Sequence, residues 1–313
     1  MMKLNGLDER NIHFKWSPSL KPVLYVDDEQ ELIVKIPDSS TLQINRNSST
    51  DDMSRIDSSK LDAAVGPIYV NGAAPGDVLE VKIMDLSVAD WGWTGIIKNF
   101  GFLKGMFENR LVIWDIKDGI ASTSGDFLGG VNIQISPFLG IIGVAPSEGD
   151  HPMIPPQSFG GNMDNKLLKK GASVFLPVYR EGAMLSLADP HAAQGDGEVC
   201  GTAIESIAEA KIFIKVHKNM RIKYPRAFSS EEHSGEVIVA MGIHCDLLTA
   251  AKESILNMIE ELKLYGFSAD ESYMLCSVAG NLRISEIVDE PNFVVSTVLA
   301  KEIAMSRKWK SQV

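Results

Sequence analysis

The chain carries three cysteines among its 313 residues, Cys200, Cys245 and Cys276. They are odd in number, widely spaced and form no C-x-x-C pair, which argues against a disulfide framework or a thiolate zinc site and fits a reducing cytoplasm. Positive charge is also scarce: 30 Lys and Arg stand against 41 Asp and Glu, a formal net charge of −11. A chain without a basic footprint makes nucleic acid and an anionic membrane poor partners. No apolar run approaches the length that spans a bilayer. Met1–Arg10 has neither the apolar core nor the cleavage pattern of a secretory signal. There is no G-x-S-x-G elbow, no P-loop and no G-x-G-x-x-G between a strand and a helix, so neither a serine-elbow hydrolase nor a nucleotide cofactor is indicated. No internal repeat or low-complexity linker divides the sequence, so one domain over residues 1–313 is the expectation.

What is present is a globular composition, 45% hydrophobic and 23% charged, arranged in many short apolar runs bounded by Gly, Pro, Asp or Ser. Val23–Val26, Glu31–Ile36, Leu111–Trp114, Val131–Ile135, Leu139–Val144, Ala172–Val178 and Met184–Leu187 read as strands. The clearest alternation is Leu79, Val81 and Ile83 against Glu80 and Lys82, a half-buried strand entered through the Pro75-Gly76-Asp77 turn. Asn45–Lys60 is polar and reads as a loop, and Ile96–Phe107 as a buried loop or lid. Helical spacing appears only towards the C-terminus. Asp246 is placed to cap a helix through Leu247, Ala251, Ile255, Met258 and Leu262 that stops at Gly266, and Ser268 with Glu271 forms a capping box for a second, ending near Gly280.

The chemistry concentrates in Leu185–Glu205, LSLADPHAAQGDGEVCGTAIE, which holds Asp189, His191, Asp196, Glu198 and Glu205 among Gly195, Gly197 and Gly201. On an extended chain, residues two apart project to the same face, so Asp189 and His191 can reach one ion. A catalytic zinc-like site needs about three protein ligands and an open position. His13, Asn162 and Asp164 are candidates to complete it, and Glu198 or Glu205 could move the proton. Cys200, between Glu198 and Glu205, invites a thiol nucleophile, but no lysine in the stretch completes such a site. GDGE at Gly195–Glu198 lacks the spaced Asp/Asn pattern of a calcium loop. Trp91 and Trp93 flank Gly92 and are candidates for the apolar wall of a pocket; as a bland alternative, paired indoles fill a core.

Taken in order, GPIYVNGAAPGDVLEVKI at Gly66–Ile83, DWGWTG at Asp90–Gly95, PFLGIIGVAP at Pro137–Pro146, GGNMD at Gly160–Asp164, DPHAAQGDGEVCGTAIE at Asp189–Glu205 and MGIHCDLLTAA at Met241–Ala251 resemble the acetamidase/formamidase family over nearly the whole chain. The resemblance is to its shorter prokaryotic members. It implies a mainly β fold, a jelly-roll-like sandwich with C-terminal helices packed to one side, and metal-dependent hydrolysis of short aliphatic amides to a carboxylate and ammonia. It implies a divalent metal, zinc first and calcium second, and puts functional weight on Asn162, Asp164, Asp189, His191, Asp196, Glu198 and Glu205. Two departures stand out: Ala188 occupies a position usually held by Gly, and the match loosens over Ser39–Asp52. A small amide is the expected partner, and a homodimer follows from base rates. Hydrolysis of another linear or cyclic C–N bond, and a non-catalytic sandwich braced by metal, are the alternatives.

Overall fold

The alternation at Leu79, Val81 and Ile83 is realised in the strand Val78–Val88, where these side chains are buried and Lys82 is exposed. Its neighbour Ala208–His217 pairs with it antiparallel and turns Ala210, Ile212 and Ile214 the same way. In the computed structural model, which describes residues 1–123 and 125–307, these strands lie inside a nine-stranded sheet running from Met2–Asn5 at one edge to Asn281–Glu286 at the other. A second sheet, of eleven strands, packs face to face with it. Val34, Ile83 and Ile212 from the first meet Ile68, Ile141 and Leu187 from the second in one apolar core. The molecule is a mainly β sandwich, as the patterning and the resemblance predict.

The two C-terminal helices start and stop where their caps predict. Asp246 accepts a hydrogen bond from Thr249 N at 2.8 Å to open the helix Leu247–Leu264, and Gly266, at φ 84°, follows its end. The Ser268–Glu271 capping box opens Ala269–Ala279. Both helices cover the outer face of the nine-stranded sheet. The strand Gly235–His244 shows why: Val237, Val239 and Met241 face the main core, while Ile238 and Ala240 face Met258 and Leu262 of the long helix. Buried on both faces, this strand has no polar alternation, which is why the sequence pattern does not reveal it. Arg226, on the adjacent strand Arg226–Glu231, is buried and donates to Glu261 Oε2 of the long helix at 2.8 Å.

One expectation is corrected. The segment after the strand Trp91–Ile96 is not a buried lid: Phe102, Leu103, Met106 and Phe107 are exposed, and Phe100 is half-buried. Its apolar residues suggested burial, but the segment leaves the sheet edge and runs over the surface. No helix among the described residues is long and apolar enough to cross a membrane.

The backbone of Gly242 runs so close beneath the long helix that a Cβ there would collide with Ala250 O and Ser254 N. Gly242→Ala should force the helix outward and lower stability by about 2 kcal/mol, read as an earlier urea midpoint with an unchanged m-value.

Candidate active site

Adjacent strands bring the chemistry together. In the eleven-stranded sheet, Ile204–Glu205 lies between Trp91–Ile96 and Leu185–Ala193, and the register sets Glu205 opposite Trp93 on one side and His191 on the other. Beyond Leu185–Ala193, the strand Phe138–Gly143 sets Phe138 opposite His191, the rings meeting edge to face at 4.9 Å. Gly160–Asn162 pairs next to it, and the chain then folds over so that Met163 N and Asp164 N both donate to Gly140 O, at 3.0 and 3.2 Å. Asp164 is thereby carried beneath the same strands.

The shared face of Asp189 and His191 is reached by a different geometry from the extended chain assumed from parity. Asp189 is in left-handed backbone, φ 54°, and the pairing with Phe138–Gly143 passes over it: Leu139 matches Pro190 and Ile141 matches Ala188. The kink brings Asp189 Oδ2 to 3.0 Å from His191 Nε2, and Glu205 Oε2 lies 3.2 Å from the same nitrogen. Asp164 at φ 40° and Glu198 at φ 46° are left-handed as well. Such a conformation costs a non-glycine residue about 1–3 kcal/mol and persists only where its surroundings impose it. Gly140 shows how tightly they are imposed, since a Cβ there would overlap Asp164 Oδ1 and Asp189 Oδ2.

The result is a strongly unbalanced charge cluster. Asp164, Asp189, Glu198 and Glu205 are buried around one imidazole, and among the described residues none of the four makes a salt bridge to Lys or Arg. Burying an unpaired carboxylate costs several kcal/mol, so each must be neutralised by a proton or a cation. Burial raises Asp164 to about 6 and lifts Asp189 and Glu198 well above the usual carboxylate range, although His191 opposes it at all three. At Glu205 burial pushes the same way, but His191 and the hydrogen bonds around the carboxylate outweigh it and the net shift is downward. His191 itself is lowered by burial and raised further by Asp189 and Glu205, ending well above the usual imidazole value.

Hydrogen bonding separates these groups further. Glu205 has both oxygens held, Oε1 by Ala203 N at 2.7 Å and Oε2 by Ser39 Oγ at 2.8 Å. His191 Nδ1 is 2.9 Å from Gln194 Oε1, while Gln194 Nε2 donates to Asp164 O at 2.8 Å. With the Gln194 amide so oriented, Nδ1 is the donor and Nε2 faces the carboxylates. Both oxygens of Asp164, Asp189 Oδ1 and His191 Nε2 are buried without a hydrogen-bond partner. These orphaned atoms fit a divalent cation. Asp189, His191 and Glu205 form one group whose ligand atoms lie within 4.8 Å of each other, and Asp164, His191 and Glu198 form another. Carboxylate oxygens with one imidazole form a set that divalent cations accept.

Of the other residues singled out from the sequence, Asn162 and Trp93 line the same cavity as Asp189, Glu198 and Glu205. Asn162 Nδ2 donates to Asp289 Oδ2 at 2.7 Å and its Oδ1 is unpartnered; Trp93 Nε1 donates to Asp38 Oδ2 at 2.8 Å. Trp91 lies outside that lining, with the Arg46 guanidinium 6.0 Å from its ring centroid. His13 is not brought to the cluster. Its strand pairs beside Ala64–Val70, which sets Nε2 2.8 Å from Ser186 Oγ, and burial lowers its pKa to about 4, so it sits as a neutral core histidine against Trp16. Asp196 is also elsewhere, bridged to Lys166 and Arg283.

Sequence reading missed Asp38, Ser39, Asp62, Glu286 and Asp289. Burial raises Asp62, helped by Asp189 and Glu205, and it lines the cavity with Ser39 and Asp289. Burial lifts Glu286 to about 8, and its Oε1 accepts from Asp289 N at 2.6 Å. Only the loosened match over Ser39–Asp52 signalled that the N-terminal part held more of the site. The cavity measures about 210 Å³. A larger groove of about 720 Å³ on the other side of Glu198 touches the cluster through that residue alone, so the smaller space is the one that meets the chemistry.

The sequence profile of the acetamidase/formamidase family matches residues 3–151 and 149–305. The chain is 29% identical to a formamidase of Methylophilus methylotrophus, over 93% of this chain and 89% of that one. It is 26% identical to an acetamidase of Mycolicibacterium smegmatis, over 84% of each. A solved structure of a predicted acetamidase/formamidase from Thermoanaerobacter tengcongensis superposes with a TM-score of 0.88 at 33% identity, over 97% of this chain and 98% of that one.

Two outcomes follow from the cluster. Asp164 and Glu286 keep their protons in the folded state at pH values where the unfolded chain has lost them, so the folded state binds more protons and loses stability as pH rises. The melting temperature of chelator-treated protein should therefore fall from about pH 5 to about pH 8. Added zinc should raise it more at the upper end, where the ligands are deprotonated. Gly140→Ala should displace Asp164 and Asp189 together and weaken the binding of an added divalent cation, measured by titration with zinc and with calcium.

Proposed function

The chain belongs to the acetamidase/formamidase family, and we propose that it is a metal-dependent amidohydrolase that splits short linear amides into a carboxylate and ammonia at the buried cluster. The observation that carries this reading is a set of buried ligand atoms without hydrogen-bond partners, Asp189 Oδ1 and His191 Nε2 among them, beside a cavity that Asp189, Glu198 and Glu205 line and that is large enough for a small organic molecule. Asp189, His191 and Glu205 would hold the ion, with zinc the first choice and calcium the second. When bound, a divalent ion supplies Lewis-acid polarisation of the amide carbonyl and acidifies water.

The protein groups divide the remaining work. Gln194 accepts from His191 Nδ1 and so keeps the Nε2 lone pair directed at the carboxylates. Glu205, fixed through both oxygens, is suited to stay in place as a ligand. Glu198 has no such anchoring, lines the cavity and stands 4.0 Å from His191 Nε2. It takes the proton from the attacking water and returns it to the leaving nitrogen, which departs as ammonia. Asn162 Oδ1, buried and unpartnered in the same lining, accepts from the NH₂ group of the substrate and orients it. Asp164 does not line the cavity and its Oδ1 lies 3.9 Å from His191 Nδ1, so it acts from behind the imidazole.

Glu198→Gln should lower kcat for acetamide by about 10²- to 10⁴-fold while metal content is kept. His191→Ala and Glu205→Gln should each lose metal and activity together. Ammonia release paired with metal analysis on the same preparations reads both. Full turnover in Glu198→Gln would remove it as the proton carrier, and a His191→Ala protein that kept metal and activity would sink the site.

A further inference from the structure

Asn162 ends the strand Gly160–Asn162, where the ladder pairs it with Ile141. The strand fixes its backbone, and Asp289 fixes its side chain: Asn162 Nδ2 donates to Asp289 Oδ2 at 2.7 Å. Both residues are buried, and both line the cavity beside the carboxylates. An amide group is planar, so holding Nδ2 on Asp289 turns Oδ1 away from it. Among the described residues no group donates to that oxygen. A carboxyl oxygen accepts whether or not the group is ionised, so Asp289 can hold the amide this way in either state.

Asp289 is itself secured through its backbone. Glu286 Oε1 accepts from Asp289 N at 2.6 Å and from Val288 N, while Asp289 O accepts from Asn292 N at 3.3 Å. Gly197 N donates to Ser285 O at 3.0 Å and Ile287 N to Gly197 O at 3.3 Å, which joins this segment to the residue before Glu198. The acceptor that orients Asn162 therefore comes from a segment outside the strands that carry Asn162, Asp189 and His191.

Resting on the amidase reading, we infer that Asp289 is a positioning residue: it locks the Asn162 amide with Nδ2 to the protein and Oδ1 to the substrate, so that the site selects a primary amide over the matching ester or carboxylate. A primary amide has N–H to give to Oδ1. An ester or a carboxylate presents only oxygen there, and two acceptors set against each other in a buried site are penalised. With the Asn162 amide free to turn, Nδ2 can face the ligand and the preference relaxes.

The test is ammonia release from acetamide by the zinc-loaded enzyme, with methyl acetate as competing ester, on proteins whose melting temperature and zinc titration are also recorded. Asp289→Leu removes the acceptor and should lower kcat/KM for acetamide about 10- to 100-fold, with zinc affinity unchanged. Asp289→Asn, which puts back a carbonyl oxygen, should recover to within about threefold of the native value. Asn162→Ala should lose as much as Asp289→Leu, and adding Asp289→Leu to it should lose less than about threefold more, because the amide to be oriented is gone. Relative to the KM for acetamide, methyl acetate should inhibit Asp289→Leu at least about threefold more tightly than the native enzyme. Should Asp289→Leu not fold, Asp289→Ala takes its place throughout. Losses that multiply in the double variant, or an Asp289→Asn protein as slow as Asp289→Leu, would overturn the positioning role and leave the amidase reading standing. So would acetamide and methyl acetate weakening in equal proportion. If the native enzyme releases ammonia from neither formamide nor acetamide, both fall together.

Discussion

Four carboxylates crowd one imidazole in the interior of this protein, and much of the local structure follows from having to hold them there. Asp164, Asp189, Glu198 and Glu205 repel one another, and no Lys or Arg among the described residues pairs with them. Left to itself such an arrangement would open or take up protons. It is kept closed by two packed sheets that bury it and by backbone conformations that leave the side chains few other places to go. A divalent cation bound there would offset the charge, and its binding energy would then add to the folding energy.

The sheets supply the placement. Cross-strand register alone aligns Trp93, Glu205, His191 and Phe138 in one row, each from a different strand. Depth is added by the fold-over at Met163 and Asp164, secured on Gly140 O, and by the segments around Ser39 and Asp62 that close the opposite side. The consequence is a cavity lined both by strand residues, Trp93, Asn162, Asp189 and Glu205, and by residues between strands, Ile97, Phe100, Glu198 and Asp289.

The two glutamates show how surroundings separate side chains that composition leaves equal. Glu198 and Glu205 are the same side chain, both buried, both near His191. Ser39 and Ala203 pin one through both oxygens, while the other is left without such anchors at the cavity edge. Under the proposed mechanism the restrained glutamate would stay as a ligand and the free one would carry the proton.

The alternating and capped segments were legible in the sequence, because period-two burial and helix caps are local rules: Leu79–Ile83 and the Asp246, Ser268 and Gly266 signals fall where the structure has them. The concentration of Asp, His and Glu in Leu185–Glu205 was legible too. Gly235–His244 was not, since a strand buried on both faces carries no alternation. Nor could the sequence show that Asp189 turns towards His191 through a left-handed kink, or that His13 ends beside Ser186 and away from the cluster. Asp38 joins the site across 55 residues, through Trp93, and Ser39 across 166, through Glu205, while Asp62 lines the cavity. The sequence by itself determined the β-rich pattern, the helix limits and the residue types available for the chemistry, all of which depend on neighbours in the chain. Tertiary structure decided which carboxylates meet, which are restrained and how large a cavity they face, because those depend on register and packing between distant strands.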